Sequence, residues 1–343
     1  MKRIVWLDTD IGTDVDDLYT LIQLCRTPEV ELIGVSTVHG DTRLRAQIAK
    51  YTTRLLGRED LPIAIGAERS MSGEPPSWGG FEGEGIQGLS HVTLEPGEPA
   101  VEALRRAAAT HARGLEILAI APLTNIAEAI KADPNFAGQI RRLYLMGGSY
   151  RETRREHNIS TDREAAEIVF GSKLQITALG LDVTLKVKIA ERELDALKQI
   201  PGGIGALLEH QTHVWWDILR HPYCHLHDSL TGLAITHPDL FEFVRGTVTV
   251  RPDGITAFES NPAGNVWSPP TWKHGLPWPK SCVPLSVRRA PAKGYRLPVT
   301  GCRLPVTGCR LPVTDCRLPV ASYRLVRPAD SISKQGRRSS LVF

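Results

Sequence analysis

A chain of 343 residues, 42% hydrophobic and 23% charged, has the makeup of a folded globular protein with room for one large α/β domain or two smaller ones. No apolar run reaches the ~18–20 residues a bilayer requires; the N-terminal apolar stretch is cut short by Asp8, and six cysteines without a CxxC pair argue against a zinc or disulfide framework and for a cytoplasmic setting. The net charge of +3 hides a division, because residues 266–343 hold 14 Lys+Arg against 2 Asp+Glu while residues 1–265 hold 27 against 36, so the body is acidic and gives nucleic acid no electrostatic footing.

Short apolar runs alternate with helical patterns from the start. Ile4–Leu7 reads as a strand ending at Asp8, Leu18–Arg26 as a helix stopped by Pro28, Glu31–Thr37 as a strand, Arg43–Leu56 as a helix and Pro62–Ile65 as a short strand. Ser70–Leu94 is polar and glycine-rich and reads as a long loop of the kind that covers a site. Helix Pro99–Arg113, strand Leu115–Ile120, helix Leu123–Ala132 and strand Arg142–Met146 follow. Next come helix Asp162–Phe170, with Asp162 as its N-cap, and strand Gln175–Leu181. Helices are expected at Ala190–Gln199, Ile204–Leu219 and Ser229–Ile235, then strands at Gly246–Arg251 and Thr256–Phe258. Apolar strands alternating with helices predict an α/β protein with an open, mostly parallel sheet covered on both faces.

The last stretch changes character. Residues 295–326 read YRLPVTG-CRLPVTG-CRLPVTD-CRLPVAS-YRLV, a seven-residue period whose prolines forbid a coiled coil. Residues 266–343 carry 11 of the 24 prolines and no amphipathic pattern, so they are expected to lack a core of their own, with a catalytic domain over 1–265. A near-identical seven-residue unit is also what a translated 21-nucleotide tandem repeat would give, which suggests a reading frame that has left its ancestral course near 260–270.

Chemistry concentrates in Asp8-Thr9-Asp10-Ile11-Gly12-Thr13-Asp14-Val15-Asp16-Asp17, five carboxylates within ten residues between a strand and a helix. Such a loop lies at the carboxyl end of a parallel strand, where open sheets bind ligands. Crowded like charges repel unless a cation gathers them, and an all-oxygen set favours Ca²⁺ or Mg²⁺. A solvated, helix-capping loop is the plainer alternative. An EF-hand fails because Tyr19 stands at the twelfth position. A haloacid-dehalogenase-like phosphohydrolase, with Asp8 and Asp10 as its pair, remains open, although Gly12 stands where that pattern has threonine. His225-Leu226-His227-Asp228 opens a later helix; Ala121-Pro122-Leu123-Thr124-Asn125 and Met146-Gly147-Gly148 each follow a strand.

Together these motifs make the chain resemble the inosine–uridine-preferring nucleoside hydrolase family over roughly residues 3–260. DTDIGTDVDD, VSTVHGD, APLTN, LYLMGG, EHNISTDREAA, LGLDVT and HLHDSL occur in the family's order. The first motif is two residues longer than the family's DxDxGxDD, which aligns Asp16 and Asp17 with the final pair and leaves Asp14 in the insertion. The resemblance implies a Rossmann-like fold, a homo-oligomer (dimer or tetramer), and a small-molecule nucleoside as substrate, with no nucleic-acid or membrane partner. It implies Asp10, Asp17, Asp228 and the Thr124 carbonyl as Ca²⁺ ligands, and Asp16, Glu156 and Asn158 on the ribose hydroxyls with Met146 close by. Asp41 stands in VHGD where the family carries asparagine, so it accepts but cannot donate to a hydroxyl. Phe81 loosely takes the place of a histidine in a loop that also includes Trp78.

Cleaving a ribosyl C–N bond builds oxocarbenium-like charge on the sugar. The expected roles are Asp10 taking a proton from water and His227 protonating the leaving base. Trp215 and Trp216, on the preceding helix, offer either core packing or a stacking face for a base. An inactive relic with an altered C-terminus is the non-enzyme alternative.

Overall fold

The computed structural model describes residues 2–73, 79–95 and 97–269. The first half runs β1 (Arg3–Thr9), α1 (Asp16–Arg26), β2 (Val30–Thr37), α2 (Thr42–Leu55), β3 (Ile63–Ile65), α3 (Ala100–Thr110), β4 (Leu115–Ala119), α4 (Thr124–Ala132), α5 (Phe136–Gln139), β5 (Arg142–Met146), α6 (His157–Thr161), α7 (Arg163–Phe170) and β6 (Ile176–Leu179). The second runs α8 (Leu181–Thr184), β7 (Lys188–Ala190), α9 (Glu191–Leu197), α10 (Ile204–Leu219), β8 (Tyr223–His225), α11 (His227–Thr236), β9 (Val244–Val250), β10 (Thr256–Ser260) and β11 (Val266–Ser268).

Nine strands form one sheet in the order β10-β9-β11-β6-β5-β4-β1-β2-β3. Every pair from β11 across to β3 is parallel, while β9 runs antiparallel to both β10 and β11. The period-2 alternation of β1 sorts its side chains between two cores. Val5 and Leu7 join the cluster built with α1, α10 and α11, whereas Trp6 joins the one built with α3, α4 and α7. Burial on both faces is why β4 reads as an unbroken apolar run with one exception, Glu116. That carboxylate is buried in a pair with Arg3, whose Nε–H donates to it at 2.8 Å. The expected open, mostly parallel sheet with helices on both faces is therefore what the chain forms.

The differences are local. A second, two-stranded sheet of β7 and β8 was not expected, because two three-residue strands so far apart in sequence carry no local signal. The short helices α5, α6 and α8 were likewise unanticipated. The loop at 70–94 is irregular where described, apart from a 3-10 turn at Leu89–His91. The sheet takes in β11, three residues beyond the expected boundary at 265. Asn265, just before β11, secures the junction by donating from Nδ2 to the carbonyls of Ser172 (3.0 Å), Leu174 (3.1 Å) and Phe170 (3.4 Å). The heptad repeat at 295–326 lies outside the described residues, as does Trp78.

Candidate active site

The loop between β1 and α1 carries the aspartates, and α1 begins at Asp16 itself. Val15 caps the helix without a side-chain bond, so Asp16 and Asp17 are its first two residues and lie against the positive end of its dipole. Asp228 arrives from the first turn of α11, which packs on α1. Its N–H donates to Asp16 Oδ2 at 3.2 Å. One carboxylate oxygen from each of Asp16, Asp17 and Asp228 lies within 4.8 Å of the others, and all three residues are buried. Burial first, and then the charges of neighbouring carboxylates (Asp14 on Asp16, Asp10 on Asp17, Asp16 on Asp228), raises all three carboxyl pKa values well above the ordinary carboxylate range.

Asp10 is buried beside them, and its charge acts on Asp8, Asp16, Asp17 and Asp228. Asp14, in the inserted pair, accepts from the Val15 N–H at 2.6 Å. Burial and then the Asp17 charge raise its pKa to about 7. The expected ligand set thus converges in part: Asp17 and Asp228 meet, with Asp16 as the third member of the tight group. Oxygen-only donors of concentrated negative charge, buried away from water, suit a hard divalent cation.

Thr124 opens α4 at the end of β4, and its hydroxyl donates to Asp162 Oδ2 at 2.6 Å. Asp162 is the N-cap of α7, as expected, accepting from Ala165 N–H, and it also accepts from Met71 N–H at 2.8 Å. Asn125 binds Asp8 Oδ1 (2.8 Å) and the Thr37 carbonyl (3.1 Å) through Nδ2. Glu156 caps α6, and its carboxylate takes the N–H groups of Asn158 (2.7 Å), Gly148 (2.9 Å) and Ile159 (2.9 Å). Three of its roughly four acceptor sites are therefore used. Asn158 donates to the carbonyls of Met146 (3.2 Å) and Ile120 (3.3 Å), which leaves its Oδ1 to accept from a hydroxyl. Met146, at the end of β5, is buried beside it. Asp41 is exposed and caps α2 by accepting from Leu44 N–H at 2.9 Å.

His227 Nδ1 shares a 2.7 Å hydrogen bond with Thr184 Oγ1. Burial, followed by the His225 ring at 5.3 Å, lowers its pKa to about 3. The half-buried imidazole is therefore neutral at neutral pH. Trp215 and Trp216 are both core residues. Trp215 meets Phe81 with ring centroids 6.0 Å apart.

Sequence reasoning missed Arg45. From α2 its fully buried guanidinium donates to the carbonyls of His39 (2.6 Å), Ile11 (3.1 Å) and Asp10, to Thr13 Oγ1 (2.9 Å) and to Glu82 Oε1 (3.3 Å). It holds the lengthened aspartate loop from behind. Gly12, with φ +113°, lets the Glu82 loop close on it, because a Cβ there would lie 2.7 Å from Ile48 Cδ1 and 3.2 Å from Glu82 Cβ. An arginine within an amphipathic helix reads as a solvated residue, so nothing local marks this one.

Residues 5–269 match the profile of the inosine-uridine preferring nucleoside hydrolases. The chain belongs to that family, and with it to the enzymes that hydrolyse ribonucleosides. Uridine nucleosidase 1 of Arabidopsis thaliana is 32% identical over 268 residues, covering 73% of this chain and 78% of that protein. The non-specific ribonucleoside hydrolase RihC of Escherichia coli (strain SE11) is 29% identical over 284 residues, covering 76% of this chain and 92% of its own. Among solved structures, a plant nucleoside hydrolase, the PpNRh1 enzyme, superposes with a TM-score of 0.70 at 25% identity, covering 78% of this chain and 94% of that one. A purine-preferring ribonucleoside hydrolase from Gardnerella vaginalis gives 0.68 at 25%, covering 79% and 94%. Membership removes the phosphohydrolase alternative.

Proposed function

We propose that this nucleoside hydrolase cleaves the N-glycosidic bond of free ribonucleosides, giving base and ribose, with Ca²⁺ held by Asp10, Asp17, Asp228 and the Thr124 carbonyl. The observation that carries the reading is the buried Asp16–Asp17–Asp228 group, whose oxygens lie within 4.8 Å of one another. Without a cation, three such carboxylates favour keeping their protons; a divalent ion removes that cost. When bound, calcium would also lower the pKa of a neighbouring water.

The protein's own groups do the rest. Asp10 takes the proton from the attacking water. Asp16, the Oδ1 of Asn158 and the one remaining acceptor site of Glu156 receive ribose hydroxyls, with Met146 lining the sugar. Asp41 is assigned a place at the rim of the ribose site, because its carboxylate already caps α2. His227 donates to the departing base. Since its imidazole is neutral at rest, it relays a proton from solvent to the leaving nitrogen as negative charge builds on the base, while the proton Asp10 took from the attacking water returns to solvent. The relatives' names divide among uridine, non-specific and purine-preferring activities, so the base spectrum is left to experiment. The same reading makes the enzyme a cytoplasmic homo-oligomer (dimer or tetramer) acting on neither nucleic acid nor membrane, in keeping with its acidic body.

The test is ribose release from a panel of purine and pyrimidine ribonucleosides, with and without a calcium chelator, beside Asp10→Ala. Chelator-sensitive release that the substitution reduces by about a thousandfold is expected. No release from folded wild-type protein would identify an inactive relic.

A further inference from the structure

Three non-glycine residues among those described have a left-handed backbone: His39, Arg113 and Arg220. Arg113 and Arg220 are exposed at turns, whereas His39 is 3% exposed, with φ +66°. A bulky residue held in this conformation costs about 1–2 kcal/mol and persists where its surroundings impose it. Here they do. The His39 N–H donates to the Ala67 carbonyl (2.7 Å), its carbonyl accepts from Arg45 Nε (2.6 Å), and the next N–H, of Gly40, donates to the Glu68 carbonyl (2.9 Å).

The backbone is thus fixed on both sides, yet the side chain it presents is unsatisfied. Nε2 of His39 is buried and has no hydrogen-bond partner among the described residues. An orphan nitrogen of this kind is unusual in a folded protein and calls for an explanation. The ring faces His157, with centroids 6.1 Å apart, at the start of the helix that carries Asn158. It also feels the charges of Asp10, Arg45 and Glu82.

We propose that His39 is a further substrate-contacting residue, whose Nε2 hydrogen-bonds a ribose hydroxyl lying between Asp10 and α6. This rests on the hydrolase reading for the substrate. A hydroxyl is the suitable class of partner, because it can donate to or accept from a neutral imidazole and brings no charge into a pocket already crowded with carboxylates.

The experiment is calorimetric titration with Ca²⁺ present, in an Asp10→Asn background that slows turnover. Uridine, inosine and their 2′-, 3′- and 5′-deoxy analogues are titrated against the background protein and against versions also carrying His39→Gly, His39→Ala or His39→Gln. Affinity for the ribonucleosides should fall about tenfold in the Gly and Ala versions, the loss of one hydrogen bond at a buried site, and recover substantially in Gln. For the deoxy analogue lacking the contacted hydroxyl, the loss should vanish. Because glycine suits φ +66°, the melting temperature of His39→Gly should not fall, which separates contact from packing. Equal affinities with and without His39, or a loss that is the same on every analogue, would overturn the proposal. Ribose release by the wild type is a separate arm: its absence would sink the hydrolase reading, while the titrations would still decide whether His39 touches the sugar.

Discussion

The β10–β9–β11 end of the sheet and the loop that follows the inner strand β1 treat polar groups in opposite ways. At the β9–β11 edge, half-buried and exposed polar groups around Asn265 and Trp267 find matched partners, while the buried Ser268 hydroxyl has none among the described residues. Asn265 meets three carbonyls, Arg245 Nε donates to the Gly264 carbonyl at 2.6 Å, and the Trp267 ring takes the guanidinium groups of Arg142 and Arg245 at 4.6 and 4.8 Å. At the β1–α1 loop, acidic groups are buried against one another, and their pKa values rise. The first arrangement holds the fold together; the second is a local cost that a ligand can reverse. Site residues should therefore trade activity against metal-free stability, and edge residues should affect stability alone.

The largest expected effect comes from breaking the acidic group. Asp17→Asn should lower kcat/KM by about a thousandfold, the several kcal/mol a bound cation contributes to charge stabilisation. It should also raise the chelator-treated protein's melting temperature at pH 7. The pH dependence follows from the raised carboxyls. Asp8 and Asp14 rise from 3.8 to about 7, and Asp16, Asp17 and Asp228 rise well above 3.8, with burial the largest cause for each. Folded pKa values above the unfolded ones mean that the native state binds more protons between about pH 4 and pH 7. The contribution of Asp8 and Asp14 to stability is complete below about pH 4 and is lost as pH rises through about 7, and that of Asp16, Asp17 and Asp228 is likewise lost as pH rises through their raised values. Calcium, competing with those protons, should therefore shift the melting temperature more at pH 7 than at pH 4. An equal calcium shift at both pH values would show that these carboxylates do not hold the ion.

His227→Ala should have a smaller and more selective effect. If the residue assists departure of the base, the loss should be about 10²-fold on nucleosides with poor leaving groups and much less on nitrophenyl riboside, whose leaving group needs no proton. Equal losses on both would rule out the role. Since His227 is neutral at rest, activity should not decline as pH rises through 6 to 7, where an ordinary histidine loses its proton.

What sequence revealed of this comparison was uneven for a physical reason. The aspartate loop, Thr124, Met146 and Asp228 lie in motifs next to strands, and Glu156 and Asn158 lie where α6 opens; the order of these motifs resembles that of the family, and that resemblance is what singled the residues out. His39 was visible only as part of VHGD, because a positive φ and an unpartnered nitrogen are properties of the folded chain. Arg45 and the Asp8–Asn125 bond depend on contacts across 35 and 117 residues. The parallel sheet was legible from apolar runs buried on both faces. The β7–β8 pair and β11 were not, because three-residue strands have no periodicity to read and gain their definition from partners far away in sequence.

The smallest effect on catalysis should come from the β9–β11 edge. Asn265→Ala removes the donors to the Phe170, Ser172 and Leu174 carbonyls and leaves those acceptors to find water at a partly buried junction. Each net bond is worth about 1 kcal/mol and an unsatisfied group costs about 1–3, so a loss near 2–3 kcal/mol is expected by denaturant titration. Because β11 pairs with β6 and β9, far from the β1–α1 loop in strand order, kcat and calcium response of the folded fraction should match the wild type. A fall in kcat with unchanged stability would show that the edge is coupled to the acidic site and that the division of labour between the two regions does not hold.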